Sequence, residues 1–336
     1  MKTQVTIYDI ARHLNISKST VSRALTGHPH INSETRRSVL ELAEQMDYQR
    51  NPLSINLLSN RTYNIGILLP EFTTSFFPQV VAGAQQIAAK AGYNVILSLS
   101  NDNYETEVEN SRMLLTSKVD GLLVSISNQT HSYDHLKIFC RRSVPVVLLN
   151  SFCDEMLVPR VIVNDYDASF LAVEHLIKSG KRRIAYLGGL TSIPIHRKRL
   201  NGYKDALGMY NIPRLEELMV SFDLNINHVK EYVKMLIAKE VQIDAIFAAS
   251  DTIAVEAMKT VKRAGLRIPE DIAIVGFGNN YGSDSTDPGL TTLSPPEREM
   301  GRAAMSILIG MMNKDSTQWR AITKSLEAEL IVRGSA

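Results

Sequence analysis

Cysteine is nearly absent from this chain: Cys140 and Cys153 are the two in 336 residues, and they set no metal-ligand spacing. Such a pair reads as two reduced thiols, with no role in a disulfide framework. Long apolar runs are missing too. None approaches the roughly 20 residues needed to cross a bilayer, and the opening MKTQVTIYDI has no signal-peptide core, so the expectation is a cytoplasmic chain without membrane contact. No GxGxxG or GxxxxGK[ST] is present, and Gly188-Gly189 is only superficially like a phosphate loop. No His, Cys and carboxylate cluster has catalytic or metal spacing, which argues against an enzyme and implies no cofactor and no metal. A charge excess of one sign is also missing, since Lys and Arg exceed Asp and Glu by only +2.

The distribution of that charge is more telling. Residues 1–37 carry Lys2, Arg12, Lys18, Arg23, Arg36 and Arg37 against Asp9 and Glu34, a surplus of +4, so the remainder is slightly acidic. A small basic end on an acidic body suits contact with phosphates. Within it, TIYDIARHLNISKSTVSRAL (6–25) reads as two short helices with an abrupt joint. Thr6 can cap the first, with Asp9 three residues on, and Ile7, Ile10, Ala11 and Leu14 share one face. Asn15-Ile16 breaks the pattern. Ser17 can cap the second helix, which turns Val21, Ala24 and Leu25 inward and Lys18, Ser19, Ser22 and Arg23 outward. That polar, partly basic face suits a DNA major groove, although an ordinary helical hairpin has the same spacing.

A third helix is expected from near Ser33, with Val39, Leu40, Leu42, Ala43 and Met46 closing a three-helix core. LSINLLS (53–59) follows, with Pro52 placed as a first helical residue; two turns of helix are too short to stand alone in water. From Tyr63 the texture becomes βα repetition with continuous apolar strands, which predicts parallel sheets covered on both faces. One series runs from YNIGILLP to PVVLLN and a second from VIVND to IAIVGFG. A helix over Glu297–Met312 and a last strand over Ser325–Val332 are expected to return to the first sheet. The fold class expected is an all-α helix-turn-helix headpiece with a hinge helix, plus a bilobed α/β core of two parallel, doubly wound sheets.

In open parallel sheets, ligands sit beyond the carboxyl ends of the strands. Here those ends are polar: Ser75, Asn101, Ser127, Asn128, Asn150, Asn164, Asp165, Ser250, Asp251 and Asn279. With Phe76 and Phe77 as an aromatic face, they suit a polyhydroxyl ligand. The same residue types cap helices, and Ser250 or Asp251 can simply cap the helix that follows.

The chain resembles the lactose-repressor (LacI/GalR) family of transcriptional regulators over essentially its whole length. TIYDIARHLNISKSTVSRAL is similar to the family's headpiece signature. GYNVILS, KVDGLLV, PVVLLN, AVEHLIKSGKRRIAYLGG, RLNGYKDAL, IPEDIAIVGF and the closing VRGS resemble family blocks in order and spacing. The resemblance implies a periplasmic-binding-protein-like core and a homodimer on a near-palindromic operator. Its affinity for double-stranded DNA would be controlled by a small-molecule effector, a carbohydrate, bound between the lobes. It divides the chain into a headpiece at 1–50, a hinge helix or linker at 51–62 and a core at 63–336. The core's N-subdomain spans about 63–162 plus 294–332, and its C-subdomain about 163–293.

The resemblance also assigns roles. Lys18, Ser19 and Arg23 match positions that read bases; Thr6, Thr20 and Ser22 match positions that touch phosphate. Ser17, Tyr8 and Asn32 lie with them at the DNA face. In the hinge, Leu57 matches the residue that wedges into the minor groove, and Ser54-Ile55 stands where an Ala-Arg pair is common. Ser75, Phe76 and Phe77 match the motif opening the core's first helix, and Arg199 matches the arginine that holds ligand hydroxyls or carboxylate, unless it is one more surface charge of a basic run. Ser127, Asn164, Asp165, Ser250, Asp251 and Asn279 complete the effector set. One departure matters: Gly-Phe-Asp-Asn of the family reads Gly276-Phe277-Gly278-Asn279 here. Either Asn279 or Asp251 replaces the aspartate, or the ligand is not a simple neutral monosaccharide, or a protein is the effector. The alternative reading of the whole, a bilobed solute-binding protein without a regulatory role, leaves residues 1–60 without a use.

Overall fold

The computed structural model describes residues 5–48, 61–238 and 242–336. Two units divide the chain, one through Thr62 and one from Tyr63 onward. In the first, α1 (Ile7–His13), α2 (Lys18–Leu25) and α3 (Ser33–Gln45) pack around Ile10, Ala11, Val21, Ala24, Val39 and Ala43. Asn15, at φ +49°, makes the sharp joint between α1 and α2. Leu40, expected in this core, is 46 % exposed. Val39 and Ala43 set the buried face of α3, and Leu40, about 100° round from Val39, falls off that face. Pro52, Ser54 and Leu57, and the expected hinge helix, lie outside the described residues.

The second unit contains two six-stranded sheets. β1 (Asn64–Leu69), β2 (Asn94–Leu99), β3 (Gly121–Val124), β4 (Val146–Leu149), β5 (Arg160–Val163) and β11 (Thr323–Leu326) make the first, in the order β11-β5-β4-β3-β1-β2. The second is built from β6 (Ile184–Gly189), β7 (Met219–Phe222), β8 (Ala245–Ala248), β9 (Ala273–Phe277), β10 (Thr291–Ser294) and β12 (Glu329–Ile331), ordered β12-β10-β9-β8-β6-β7. Every neighbouring pair is parallel except β10 with β12. The central strands are buried along their whole length, as their unbroken apolar runs require. Helices α4 (Phe76–Lys90), α5 (Tyr104–Thr116), α6 (Asp134–Arg141) and α11 (Glu297–Met312) serve the first lobe. Helices α7 (Asp165–Lys178), α8 (Pro194–Met209), α9 (Ile226–Ile237) and α10 (Asp251–Arg263) serve the second. Helices α7 and α10 begin two or three residues before the first aliphatic residue of their pattern. Asn164, Asn225 and Ser250 each accept a backbone N–H of the first turn through the side chain, so the helix begins at its cap.

Two expectations about topology are corrected. VIVND does not open the second sheet, because its strand β5 pairs with β4 and β11 in the first. The single last strand is two: β11 joins the first sheet and β12 the second. The chain therefore passes between lobes three times, from β5 into α7, from β10 into α11, and from β11 into β12. Close packing anchors the first lobe. A Cβ on Gly301 would stand 1.9 Å from the Val80 carbonyl oxygen and one on Gly83 2.1 Å from that of Arg298, so α4 and α11 meet backbone to backbone.

Candidate functional site

The exposed face of α2 begins at Ser17. Its hydroxyl accepts the Thr20 N–H at 3.1 Å and lies 2.7 Å from the Ser19 hydroxyl and 2.8 Å from that of Thr20, so three hydroxyl residues share one knot at the helix start. Lys18 Nζ donates to the Tyr8 hydroxyl at 2.9 Å and stands 4.5 Å from the ring centre, bringing the first helix's tyrosine to the second helix's leading cation. That contact lowers the Tyr8 phenol from its ordinary pKa. Arg23 is exposed and makes no ion pair with any described residue. Ser22 is half-buried on the same helix, its carbonyl accepting the Thr26 hydroxyl. Thr6 and Asn32 do capping work. The Asp9 carboxylate accepts both the N–H and the hydroxyl of Thr6, and Asn32 accepts the Glu34 N–H at 2.8 Å. The face thus presents two cations and several hydroxyls, a set that can neutralise phosphates and donate to base edges.

In the second unit, a cavity of about 170 Å³ opens between the lobes. From the first lobe it takes Glu71, Thr74, Phe76, Phe77 and Asn150, and from the second Arg199, Ser250, Phe277, Gly278 and Asn280. Phe76 and Phe77 meet edge to face at 5.0 Å. Ser75 is buried just behind them, and its hydroxyl donates across the cleft to Asn280 Oδ1 at 3.1 Å.

Arg199 is the centre of this site. Its Nε and Nη2 lie 2.8 and 2.7 Å from Asp165 Oδ1, Nη1 donates to the Ala249 carbonyl at 2.6 Å, and the guanidinium stacks 3.5 Å from the centre of the Phe277 ring. The arginine side chain is 13 % exposed and the aspartate 4 %. Burial raises the Asp165 carboxyl above its usual range, and Arg199 counteracts it. The pair therefore fixes a planar donor at the cavity wall with its charge already balanced. Beside it, burial and the same arginine push His196 down to about 3, which keeps that ring neutral.

The other expected effector residues are placed as follows in the second unit. Asp165 supports Arg199 and does not line the cavity. Asp251, almost fully buried, accepts the Asn280 N–H at 2.8 Å, the Ser283 hydroxyl at 2.6 Å and the Thr292 hydroxyl at 2.5 Å. It fixes the loop that carries Asn280, and burial raises its carboxyl. Asn279 donates to Ser294 and accepts from Arg333, and Asn164 caps α7 while donating to Glu327. Ser127 lines a separate cleft cavity of about 180 Å³ with Asn128, Ser151 and Ser192. Ser250 both caps α10 and lines the first cavity. Neither Asn279 nor Asp251 is among the residues that line the first cavity, where Gly278 is. Glu71, Thr74 and Asn280 reach the cavity from loops, and Asn150 was one of the polar strand ends without being singled out.

Comparison with known proteins adds context to this geometry. Residues 6–51 match the model described as bacterial regulatory proteins, lacI family, and residues 173–336 match a periplasmic binding protein-like domain. The chain is 34% identical over 313 residues to catabolite control protein A of Priestia megaterium, covering 93% of this chain and 94% of that protein. It is 30% identical over 334 residues to the HTH-type transcriptional repressor CytR of Escherichia coli strain K12, covering 99% and 97%. In fold it is similar to the lac repressor dimer bound to operator and the anti-inducer ONPF, with a TM-score of 0.87 over 99% of both chains at 24% identity.

Proposed function

The chain belongs to the lacI family of bacterial regulatory proteins, and on that footing we propose that it is a sequence-specific repressor whose hold on operator DNA is set by a carbohydrate bound between the lobes. In this reading residues 1–50 read DNA, 51–62 form the hinge, and 63–336 bind effector and hold a cytoplasmic homodimer on a near-palindromic operator. Lys18, Ser19 and Arg23 meet base edges. Thr6, Thr20, Ser22 and the neighbouring Tyr8, Ser17 and Asn32 meet the backbone, and Leu57, beside Ser54, wedges into the minor groove.

The observation that carries the proposal is one polypeptide joining a cationic helix face, without acidic partners among the described residues, to an interlobe cavity built on a stacked arginine. The effector is an uncharged polyhydroxyl molecule. Asp165 already balances Arg199, and the other ionisable group lining the cavity, Glu71, is an acid, so an anionic sugar would meet no free positive charge. Hydroxyls would accept from Arg199 and donate to Glu71 and Asn150, with a ring face on Phe76.

The test is fluorescence anisotropy of the full chain on its own upstream DNA, with neutral and phosphorylated mono- and disaccharides titrated in. A neutral sugar should shift operator affinity by roughly 5–150-fold. Identical binding with every sugar would defeat the allosteric half, and a response confined to sugar phosphates would defeat the charge argument.

A further inference from the structure

Besides the three chain crossings, two side-chain hydrogen bonds join the lobes, and both leave the first lobe at the start of α4. Ser75, which is buried, donates its hydroxyl to Asn280 Oδ1 at 3.1 Å. One turn later, Gln79 Nε2 donates to the Tyr281 hydroxyl at 2.6 Å. The Gln79 N–H also donates to the Ser75 carbonyl at 3.2 Å, so the two side chains stand four apart on one helical face. Their acceptors, Asn280 and Tyr281, are consecutive residues of the second lobe. A rotation that parts the lobes therefore lengthens both bonds together.

Both ends of this connection are held from behind. On the first lobe, Arg298 Nε donates to Gln79 Oε1 at 2.6 Å, which turns the NH2 end of the amide toward Tyr281. Arg298 belongs to α11, and its carbonyl is the group that a Cβ on Gly83 of α4 would strike, so donor and support share one close-packed helix pair. On the second lobe, buried Asp251 accepts the Asn280 N–H at 2.8 Å and the Ser283 hydroxyl at 2.6 Å, pinning the loop that carries both acceptors. One of the four residues also faces the ligand cavity: Asn280 lines it, whereas Gln79 and Tyr281 do not. A ligand hydroxyl reaching Asn280 Oδ1 competes there with Ser75. The cavity, at about 170 Å³, also falls below the roughly 300 Å³ at which small-molecule pockets usually begin, so an occupant favours a wider lobe angle.

We propose that Ser75–Asn280 and Gln79–Tyr281 form a latch that holds the lobes at a narrow angle, and that an effector must open it to enter the cleft. Gln79 and Tyr281 then tune effector affinity without touching the effector. The effector half of this inference rests on the cleft reading above; the latch itself does not.

The latch is tested first without ligand. Spin labels on cysteines replacing exposed Lys90 in the first lobe and exposed Lys230 in the second report the distance between lobes by double electron–electron resonance. Cys140 and Cys153 are changed to alanine, and labelled chain is diluted with unlabelled chain to suppress distances between copies. Gln79→Leu and Tyr281→Phe each remove the same bond, so each should shift or broaden the distance distribution, and the double variant should go no further than either. Gln79→Glu still accepts from Arg298 and from the Tyr281 hydroxyl, and should keep the parent distribution. Unchanged distances in both single variants overturn the latch, as does Gln79→Glu behaving like Gln79→Leu. Calorimetry with D-glucose, D-ribose and sucrose then tests the competition. Any that binds should bind about 2–12-fold more tightly to Tyr281→Phe, a change outside the cavity. Equal affinity for both chains overturns the effector half. Should none bind, the proposal stands or falls on the distances, which need no ligand.

Discussion

Replacing Arg199 by alanine removes the cation from an ion pair whose acidic member is almost completely buried. Asp165 would be left buried without the two guanidinium nitrogens that stand 2.7–2.8 Å from its Oδ1. Breaking such a pair from one side costs roughly 3–5 kcal/mol, far more than the pair itself contributes. The stacking on Phe277 and the bond to the Ala249 carbonyl go with it. For a unit of this size each kcal/mol moves Tm by about 2–4 °C, so a drop of order 10 °C is expected.

The cause can be isolated through pH. In the variant, burial still raises the Asp165 carboxyl, and the arginine that opposed it is gone. The folded state then holds its proton more tightly than the unfolded state. Stability must fall as pH rises from the unfolded carboxylate value through the raised folded one. The deficit against wild type should therefore be smaller near pH 5 than near pH 8. Adding Asp165→Leu to Arg199→Met, two apolar groups for two charges, should recover most of the loss. Urea and thermal unfolding, followed by tyrosine fluorescence and circular dichroism, report both. A loss under about 1 kcal/mol in Arg199→Ala, or a double variant no better than the single one, would refute the view that Asp165 serves to hold the arginine.

Further expectations concern other sites. Gly301→Ala places a methyl against the Val80 carbonyl and should destabilise the first lobe by at least about 1–3 kcal/mol, read as a lower urea midpoint, whereas Gly310→Ala, where the space is open, should not. Burial, and then Asp251, push the Glu297 carboxyl up to about 7, so the folded state binds a proton that the unfolded state has released. Stability from this group is lost as pH rises from about 4.5 through 7. Glu297→Gln should raise Tm at pH 8 by a few degrees, a gain of order 1 kcal/mol after allowing for its partial exposure, and change little below pH 5. Lys18→Ala should cost about 1–3 kcal/mol of discrimination between operator variants in binding assays, while calorimetry on the cleft ligand stays unchanged.

The buried strands were plain because unbroken apolar runs have one economical use. Ser250 was legible as a helix cap, and its side chain does accept a first-turn N–H, whereas Asn164 at a polar strand end gives no local sign that it caps α7 in the same way. Asp251 followed a strand end, as a ligand residue would, yet its oxygens are taken by Asn280, Ser283 and Thr292 from distant segments. Nothing local signals such a partner set. Glu71 and Asn280 sit in loops whose path depends on how two lobes meet, so periodicity is silent about them. Arg199 was reached by resemblance to a family pattern; Asp165 was named beside it, but as a ligand contact and not as its support. The division of the final strand into β11 and β12 falls where Glu327 and Ala328 interrupt no hydropathy pattern, so a single strand was the simpler inference.

That division bears on how the lobes can move. Three short tethers join them, at Asn164, at Pro295-Pro296 and at Glu327-Ala328, and the first and third are tied by the bond from Asn164 to Glu327. One tether would permit a swivel in any direction, and two would permit a twist about the line between them. Three side by side leave a single soft coordinate, rotation about their common axis, while sliding and screwing would stretch at least one strap. The angle between lobes is then one number. Whatever occupies the cleft has only that number to set, and anything that responds to the lobes has only that number to sense.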